Sequence, residues 1–547
     1  MPISRRLTLA AALALGVLAA AAAQTEFPRN PHAPPPPDPI LLEHPIEGPR
    51  PPQAAPSPGT DKAPELTRLD LALAFIRFER AFVDARPAGE DLALANRNFD
   101  TATFAFFRGG RDRSLKELDD GTLRLMGREG DGAARRAATL HVRVEPPVWT
   151  YFSDPAPSIV VRTARVNGAA GTVLQPAAPD STDTSLAIRL DPAELSGLGA
   201  GGGVQINIPD DAGADDKPTR LDLAPFIKSL KPGRYSVSIV GKDGFRWAAG
   251  WWTVVTAPRD GVRAALADRF DTFERAQSQP LAPEVKDRLE VLRARLALLR
   301  DTPSSQSVSG FLIDVNRLED ELLADAVALQ EGTEPLKTRE GLVFGPFRSA
   351  GVTVPMWTFV PQRLVEENNP APLLIALHGA GAEESMFMAG YGNGVIRDIA
   401  ERHGVIVASP LAYAFTTNPA ILDDLIKAVR SRYAVDERRI YLVGHSMGGI
   451  AASGLAQVRA GTIAAAAAIA GLRPFRGAEP CAPVLAYGAE LDRIIPAARV
   501  ARLAEEARAA GLPVELREAK QQGHTLVVGA VLEECVEWLL QHRRPEP

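Results

Sequence analysis

The 547 residues suffice for about three domains, and 46% hydrophobic against 23% charged residues can bury sizeable cores. A net charge of −6 gives no electrostatic basis for holding nucleic acid or an anionic membrane. Only two cysteines, Cys481 and Cys535, are present.

Residues 1–23 read as a signal peptide. Arg5 and Arg6 form a basic start, Leu7 to Ala20 an apolar run, and Ala21-Ala22-Ala23 a small-residue cleavage site before Gln24. A retained anchor is the alternative, but the run is rich in alanine and short of a typical span. The expectation is an exported protein, periplasmic or extracellular, with no stable membrane span after cleavage. Residues 24–64 are dense in proline, including Pro34 to Pro37, and predict an extended linker.

Residues 65–138 predict a helical segment. Leu66, Leu69, Leu73 and Ile76 recur every three or four positions, and Arg86-Pro87-Ala88-Gly89 interrupts before a second stretch from Leu92 past Phe107. Residues 139–258 change to short alternating runs (Leu140, Val142, Val144; Leu186, Ile188, Leu190; Tyr235, Val237, Ile239). Turn residues separate them, so an all-β sandwich is expected. Leu230 to Tyr235 resembles the turn into a late strand of immunoglobulin-like modules. Trp247, Trp251 and Trp252 are expected to pack, a sugar-binding platform being the alternative. Residues 259–334 show two leucine repeats (Leu289 to Leu299; Leu312 to Leu329) around Asp301 to Ser305, which predicts a helical hairpin.

Residues 335–547 alternate buried-strand runs with helices, the pattern of a mainly parallel α/β sheet. The chemistry gathers here. Ile440 to Val443 leads into Gly444-His445-Ser446-Met447-Gly448, a strand–turn–helix nucleophile elbow that offers the Ser446 hydroxyl and the Met447 N–H. Leu373 to Leu377 ends in His378-Gly379-Ala380-Gly381. Its backbone can aim a second amide, that of Ala380, at the same oxyanion. His378 itself is expected to make a structural hydrogen bond. Asp492 follows the strand Val484 to Tyr487, with Glu490 as its nearest competitor. His524 stands in Gln522-Gly523-His524-Thr525 before the last helix. The order Ser446, Asp492, His524 is nucleophile, acid, base. With the fold read this way, Cys481 precedes a core strand and Cys535 lies on the last helix. A Cys481–Cys535 disulfide is then geometrically open, two buried free thiols being the alternative.

The pieces LHGAG (377–381), YAVDERRIYLVGHSMGG (433–449), GAELDRIIP (488–496) and QGHT (522–525) resemble the α/β-hydrolase superfamily. They resemble in particular secreted esterases of the polyhydroxybutyrate-depolymerase, feruloyl-esterase and prolyl-oligopeptidase-like branch. The resemblance covers about the last two-fifths of the chain. It implies an ester or amide hydrolase that forms an acyl-enzyme and needs no cofactor; a serine esterase acting on an ester-bearing small molecule or polymer is the first reading. A prolyl-oligopeptidase-like peptidase is the second reading, although no propeller repeat is visible. A binding or scaffold protein with an inactive hydrolase domain is the third. No metal-ligand cluster, P-loop or dinucleotide fingerprint appears in the right context. Oligomeric state and acyl preference are not written in the sequence.

Overall fold

A computed structural model describes residues 66–163, 185–194, 197–198, 203–213, 218–301, 312–337, 339–367, 369–416, 418–477 and 479–546. The signal-peptide reading (1–23) and the proline-rich stretch (24–64) lie outside the described residues. Among the described residues, no helix is long and apolar enough to cross a membrane.

The chain enters through four helices, Arg68–Ala85 (α1), Gly89–Phe107 (α2), Arg111–Leu125 (α3) and Gly132–Thr139 (α4). Thr67 and Asp70 start α1 as a reciprocal capping box, and Arg86 ends it in the left-handed conformation, which places the turn where the Arg86–Gly89 signal predicts it. Leu71, Phe78, Phe99, Leu115 and Leu118 bury a common core that also takes in Leu526 from the far end of the chain.

Strands Leu140–Glu145 (β1), Val148–Thr150 (β2), Ser158–Thr163 (β3), Leu186–Glu194 (β4), Gly197–Leu198 (β5), Val204–Ile208 (β6), Thr219–Asp222 (β7), Gly233–Gly241 (β8) and Arg246–Val255 (β9) follow. They form a three-stranded sheet, β1-β3-β7, and a six-stranded one, β2-β9-β8-β4-β5 with β6 on β4. Alternate residues of both sheets, such as Val142, Ile159, Ile188, Ile239 and Val254, meet in one core. The Tyr235 hydroxyl accepts from Lys231 N–H at 2.8 Å and donates to Lys231 C=O at 2.9 Å, pinning the turn into β8. The tryptophans make no platform. Trp247 and Trp252 are buried, Trp252 stacks on Trp149, and the Arg77 guanidinium of α1 lies over Trp247.

Three helices come next rather than a hairpin: Arg259–Arg275 (α5), Pro283–Leu296 (α6) and Val315–Gln330 (α7). The expected first half is split at residues 276–282. Pro283 lacks an N–H to continue a helix but suits the first position of the next one. These helices do not merely space two domains. Leu289, Leu292, Leu318 and Leu322 share a core with the catalytic sheet. Buried Arg295 ion-pairs with Asp325 at 3.2 Å and donates to Phe344 C=O, tying helices to sheet.

The last part comprises Gly341–Phe344 (β10), Phe347–Ser349 (β11), Val352–Val354 (β12), Met356–Val360 (β13), Gln362–Glu367 (α8), Ala371–Leu377 (β14), Ile396–His403 (α9), Ile406–Pro410 (β15), Ile421–Arg430 (α10), Val435–His445 (β16), Met447–Val458 (α11), Ala465–Ile469 (β17), Val484–Ala489 (β18), Ala497–Ala509 (α12), Val514–Ala519 (β19) and Val527–Leu540 (α13). The eight-stranded sheet runs β10-β13-β15-β14-β16-β17-β18-β19, parallel from β15 onward. Its inner strands β14, β17 and β18 are buried at every position because both faces are covered. Leu374, Ala376, Tyr441 and Val443 face one core, and Leu373, Ile375, Ile440 and Leu442 the other.

The same two faces exclude the Cys481–Cys535 bridge. Cys535 is fully buried on α13 in the first core, whereas half-buried Cys481 packs against the second. Both are free thiols.

Candidate active site

Ser446 terminates β16 and caps α11 at φ 53°, ψ −116°, a region that costs a non-glycine residue about 1–3 kcal/mol. Close packing of the elbow enforces it. A Cβ on Gly448 would overlap the Leu377 carbonyl, and one on Gly444 would overlap the Gly448 carbonyl. Only glycine lets β16, α11 and β14 approach so closely. Ser446 N–H donates to Ile469 C=O at 2.9 Å, fixing the turn to β17.

His524 and Asp492 are brought together from separate loops. His524 Nδ1 bonds Asp492 Oδ2 at 2.7 Å, and both side chains are almost fully buried. The second oxygen, Asp492 Oδ1, accepts from Ile494 N–H at 2.7 Å and Ile495 N–H at 2.8 Å. Those two amides explain the Asp-x-x-apolar-Pro pattern: the turn before Pro496 holds the carboxylate still. Glu490, the sequence competitor, faces away; it accepts from Gln521 N–H at 2.8 Å and pairs with Lys520 at 3.5 Å.

The loop after β14 lies against the elbow, since a Cβ on Gly379 would sit 3.4 Å from Ser446 Cβ. Gly379 N–H donates to the Tyr391 hydroxyl at 3.3 Å and Gly381 N–H to the Tyr413 hydroxyl at 2.7 Å. The amides flanking Ala380 are thus committed elsewhere. His378 is buried and neutral. Its Nε2 accepts from Ala412 N–H at 3.0 Å, its Nδ1–H donates to Gly379 C=O at 2.8 Å, and burial pushes its pKa down to about 4. That is the structural bond expected of it.

Several residues at the site carry no sequence motif. The Tyr391 hydroxyl donates to His445 Nδ1 at 2.6 Å, and His445 Nε2–H donates to His524 C=O at 2.9 Å. Burial holds the His445 pKa well below its usual value and raises that of Tyr391, so this chain of neutral donors is kept. From α2, the Asp100 carboxylate accepts His524 N–H and the Asn96 side chain accepts Gly523 N–H. From α1, Glu79 Oε2 accepts Gly392 N–H at 3.2 Å, and burial pushes the Glu79 carboxyl up to about 8. Arg68 donates to Gly381 C=O at 3.2 Å and pairs with Glu383 at 3.1 Å. Phe106, edge-on to Phe107, stands beside Gly381. Helices α1 and α2 of the first segment therefore pack against the loops of the site. The one signal for it in the sequence is the polar pair Asn96 and Asp100, four apart on the buried stripe of an otherwise apolar helix face.

A parallel sheet of this strand order, with a strained serine after its central strand and an acid and a base after later strands, decides the fold. The C-terminal domain has the α/β-hydrolase fold. A sequence model of the dienelactone hydrolase family matches residues 410–528, a window that holds Ser446, Asp492 and His524 but not the His378–Gly381 loop. Among solved structures, a thermostable esterase shares 24% identity, covering 37% of this chain and 63% of its own, with a TM-score of 0.32. An S-formylglutathione hydrolase from Agrobacterium tumefaciens shares 15%, covering 37% of this chain and 96% of its own, with a TM-score of 0.32. A ferulic acid esterase shares 16%, covering 37% of this chain and 98% of its own, with a TM-score of 0.31. The match thus spans less than two thirds of the thermostable esterase. No curated protein matches the chain. The α/β-hydrolase fold occupies the last part of this multidomain chain.

Proposed function

We propose that the protein is an exported serine hydrolase that cleaves carboxylic esters through an acyl-enzyme. The observation that carries this reading is the 2.7 Å bond from His524 Nδ1 to Asp492 Oδ2, together with a serine held at a strained elbow. The bond selects the tautomer whose Nε2 is unprotonated and able to act as base. In the reaction, Ser446 Oγ attacks the acyl carbon and its proton passes to His524 Nε2, while Asp492 stabilises the imidazolium. The carbonyl oxygen becomes an oxyanion facing the Met447 and Ala380 N–H groups, each worth about 3–4 kcal/mol to the transition state. His524 then protonates the departing alkoxide, and a water deprotonated by His524 hydrolyses the acyl-serine.

The packing of α1 and α2 against the loops of the site, with Phe106 and Phe107 beside the oxyanion loop, favours a small ester with an apolar acyl group over a bulky polymer. Export rests on residues 1–23, and the secreted chain should begin at Gln24 on N-terminal sequencing; an N-terminus at Met1 would refute it. The activity is tested with p-nitrophenyl esters from acetyl to octanoyl. Turnover by the mature chain is expected, with a loss on the order of 10⁴–10⁶-fold in Ser446→Ala. Unchanged turnover in the variant would overturn the reading.

A further inference from the structure

The base is gripped from outside its own domain. Asp100 Oδ1 and Oδ2 lie 3.0 Å and 3.2 Å from His524 N, 424 residues away in sequence. One turn earlier on α2, Asn96 Oδ1 accepts Gly523 N–H at 2.6 Å, and Asn96 Nδ2 donates to Gln521 C=O at 3.1 Å and Leu92 C=O at 3.0 Å. Both side chains are about 2% exposed or less. Gly523 makes the approach possible, since a Cβ there would lie 2.8 Å from Asp100 Oδ2 and 3.1 Å from Asn96 Oδ1. The hydrolase domain anchors the start of this loop by itself, through Leu491 N–H to Gln522 C=O at 2.8 Å and Gln521 N–H to Glu490. It supplies the His524 carbonyl with His445. The Gly523 and His524 N–H groups are satisfied by α2.

We propose that Asn96 and Asp100 are positioning residues for His524, so that helix α2 completes the active site rather than merely packing on it. This rests on the reading of His524 as the base. The His524 ring is oriented by Asp492, but the backbone from which it hangs is held at its carbonyl by His445 and at its amide by Asp100. Releasing the amide frees the loop to move the imidazole away from Ser446. A misplacement of about 1 Å costs on the order of 10²-fold in rate. Burial pushes the Asp100 carboxyl up to about 6 even with this amide bond, and a buried carboxyl facing a loop's backbone amides suits a positioning group better than a packing one.

The test compares the mature wild type with Asp100→Ala, Asp100→Asn and Leu118→Ala, the last in the same helical core but away from the 521–524 loop. Readouts are kcat and KM on a p-nitrophenyl ester, Tm, and the downfield proton resonance of His524 Nδ1–H. Asp100→Ala is expected to lower kcat about 10²-fold with KM nearly unchanged, and to shift or broaden the resonance. Asp100→Asn keeps an acceptor oxygen for His524 N–H and should recover most of the loss. Leu118→Ala should lower Tm yet keep kcat and the resonance. The proposal is overturned if Asp100→Ala retains both kcat and the resonance. It is equally overturned if Asp100→Ala and Leu118→Ala lose activity in step with their Tm. Should the wild type hydrolyse no ester, the esterase reading fails, and the resonance alone decides the positioning.

Discussion

Ser446 directly follows His445, which contacts His524, but the serine and the histidine are held in different ways. The serine is fixed by its own neighbours in sequence and sheet: Gly444, Gly448, the Ile469 carbonyl and the first turn of α11. The base hangs on a loop whose bonds run to four distant places: Asp492, His445, Asn96 and Asp100. A nucleophile elbow is a local solution to a local strain problem. A histidine on a loop must be immobilised by whatever the fold brings near it, and here that includes helix α2, more than four hundred residues earlier.

The contrast can be pressed at three points. Removing the acid within the domain should have the largest effect. Asp492→Asn is expected to lose about 10⁴-fold in kcat by favouring the wrong tautomer, with Ser446 still in its strained turn. A kcat within tenfold of wild type would show that the His524–Asp492 bond does not set the base. Next comes the approach of α2. Gly523→Ala places a methyl group against Asp100 and Asn96, so kcat should fall about 10–10²-fold, and full activity would mean that the helix can withdraw without consequence.

The smallest effect concerns Glu79 on α1. Its carboxyl is neutral in the fold up to about 8, against an ordinary value near 4.5, so the folded state holds a proton that the unfolded chain gives up. The contribution is complete below the unfolded value and is lost as pH rises through the folded one. Wild-type Tm should therefore fall between pH 5 and pH 8, and Glu79→Gln should flatten that fall; parallel Tm profiles would contradict it.

The same contrast sets what could be read from sequence. The elbow, the Asp492 turn and the QGHT loop are local patterns, and the buried strands announce themselves as unbroken apolar runs. Tyr391 and Glu79 act through contacts that no local spacing encodes; Glu79 meets Gly392 across 313 positions. The helical hairpin became three helices because the leucine repeats register a buried face but not the break before Pro283. The Cys481–Cys535 pairing failed for a related reason. Strand order puts both near the lower end of the sheet, but α13 carries Cys535 on one face while Cys481 packs against the core on the other.

The central claim is that Ser446 is the nucleophile, activated by His524. A fluorophosphonate probe followed by peptide mapping tests it most directly. The account predicts a single covalent adduct on Ser446 of the wild type, formed far more slowly in His524→Ala at equal folded fraction. An adduct on another residue, or none while ester turnover persists, would contradict it.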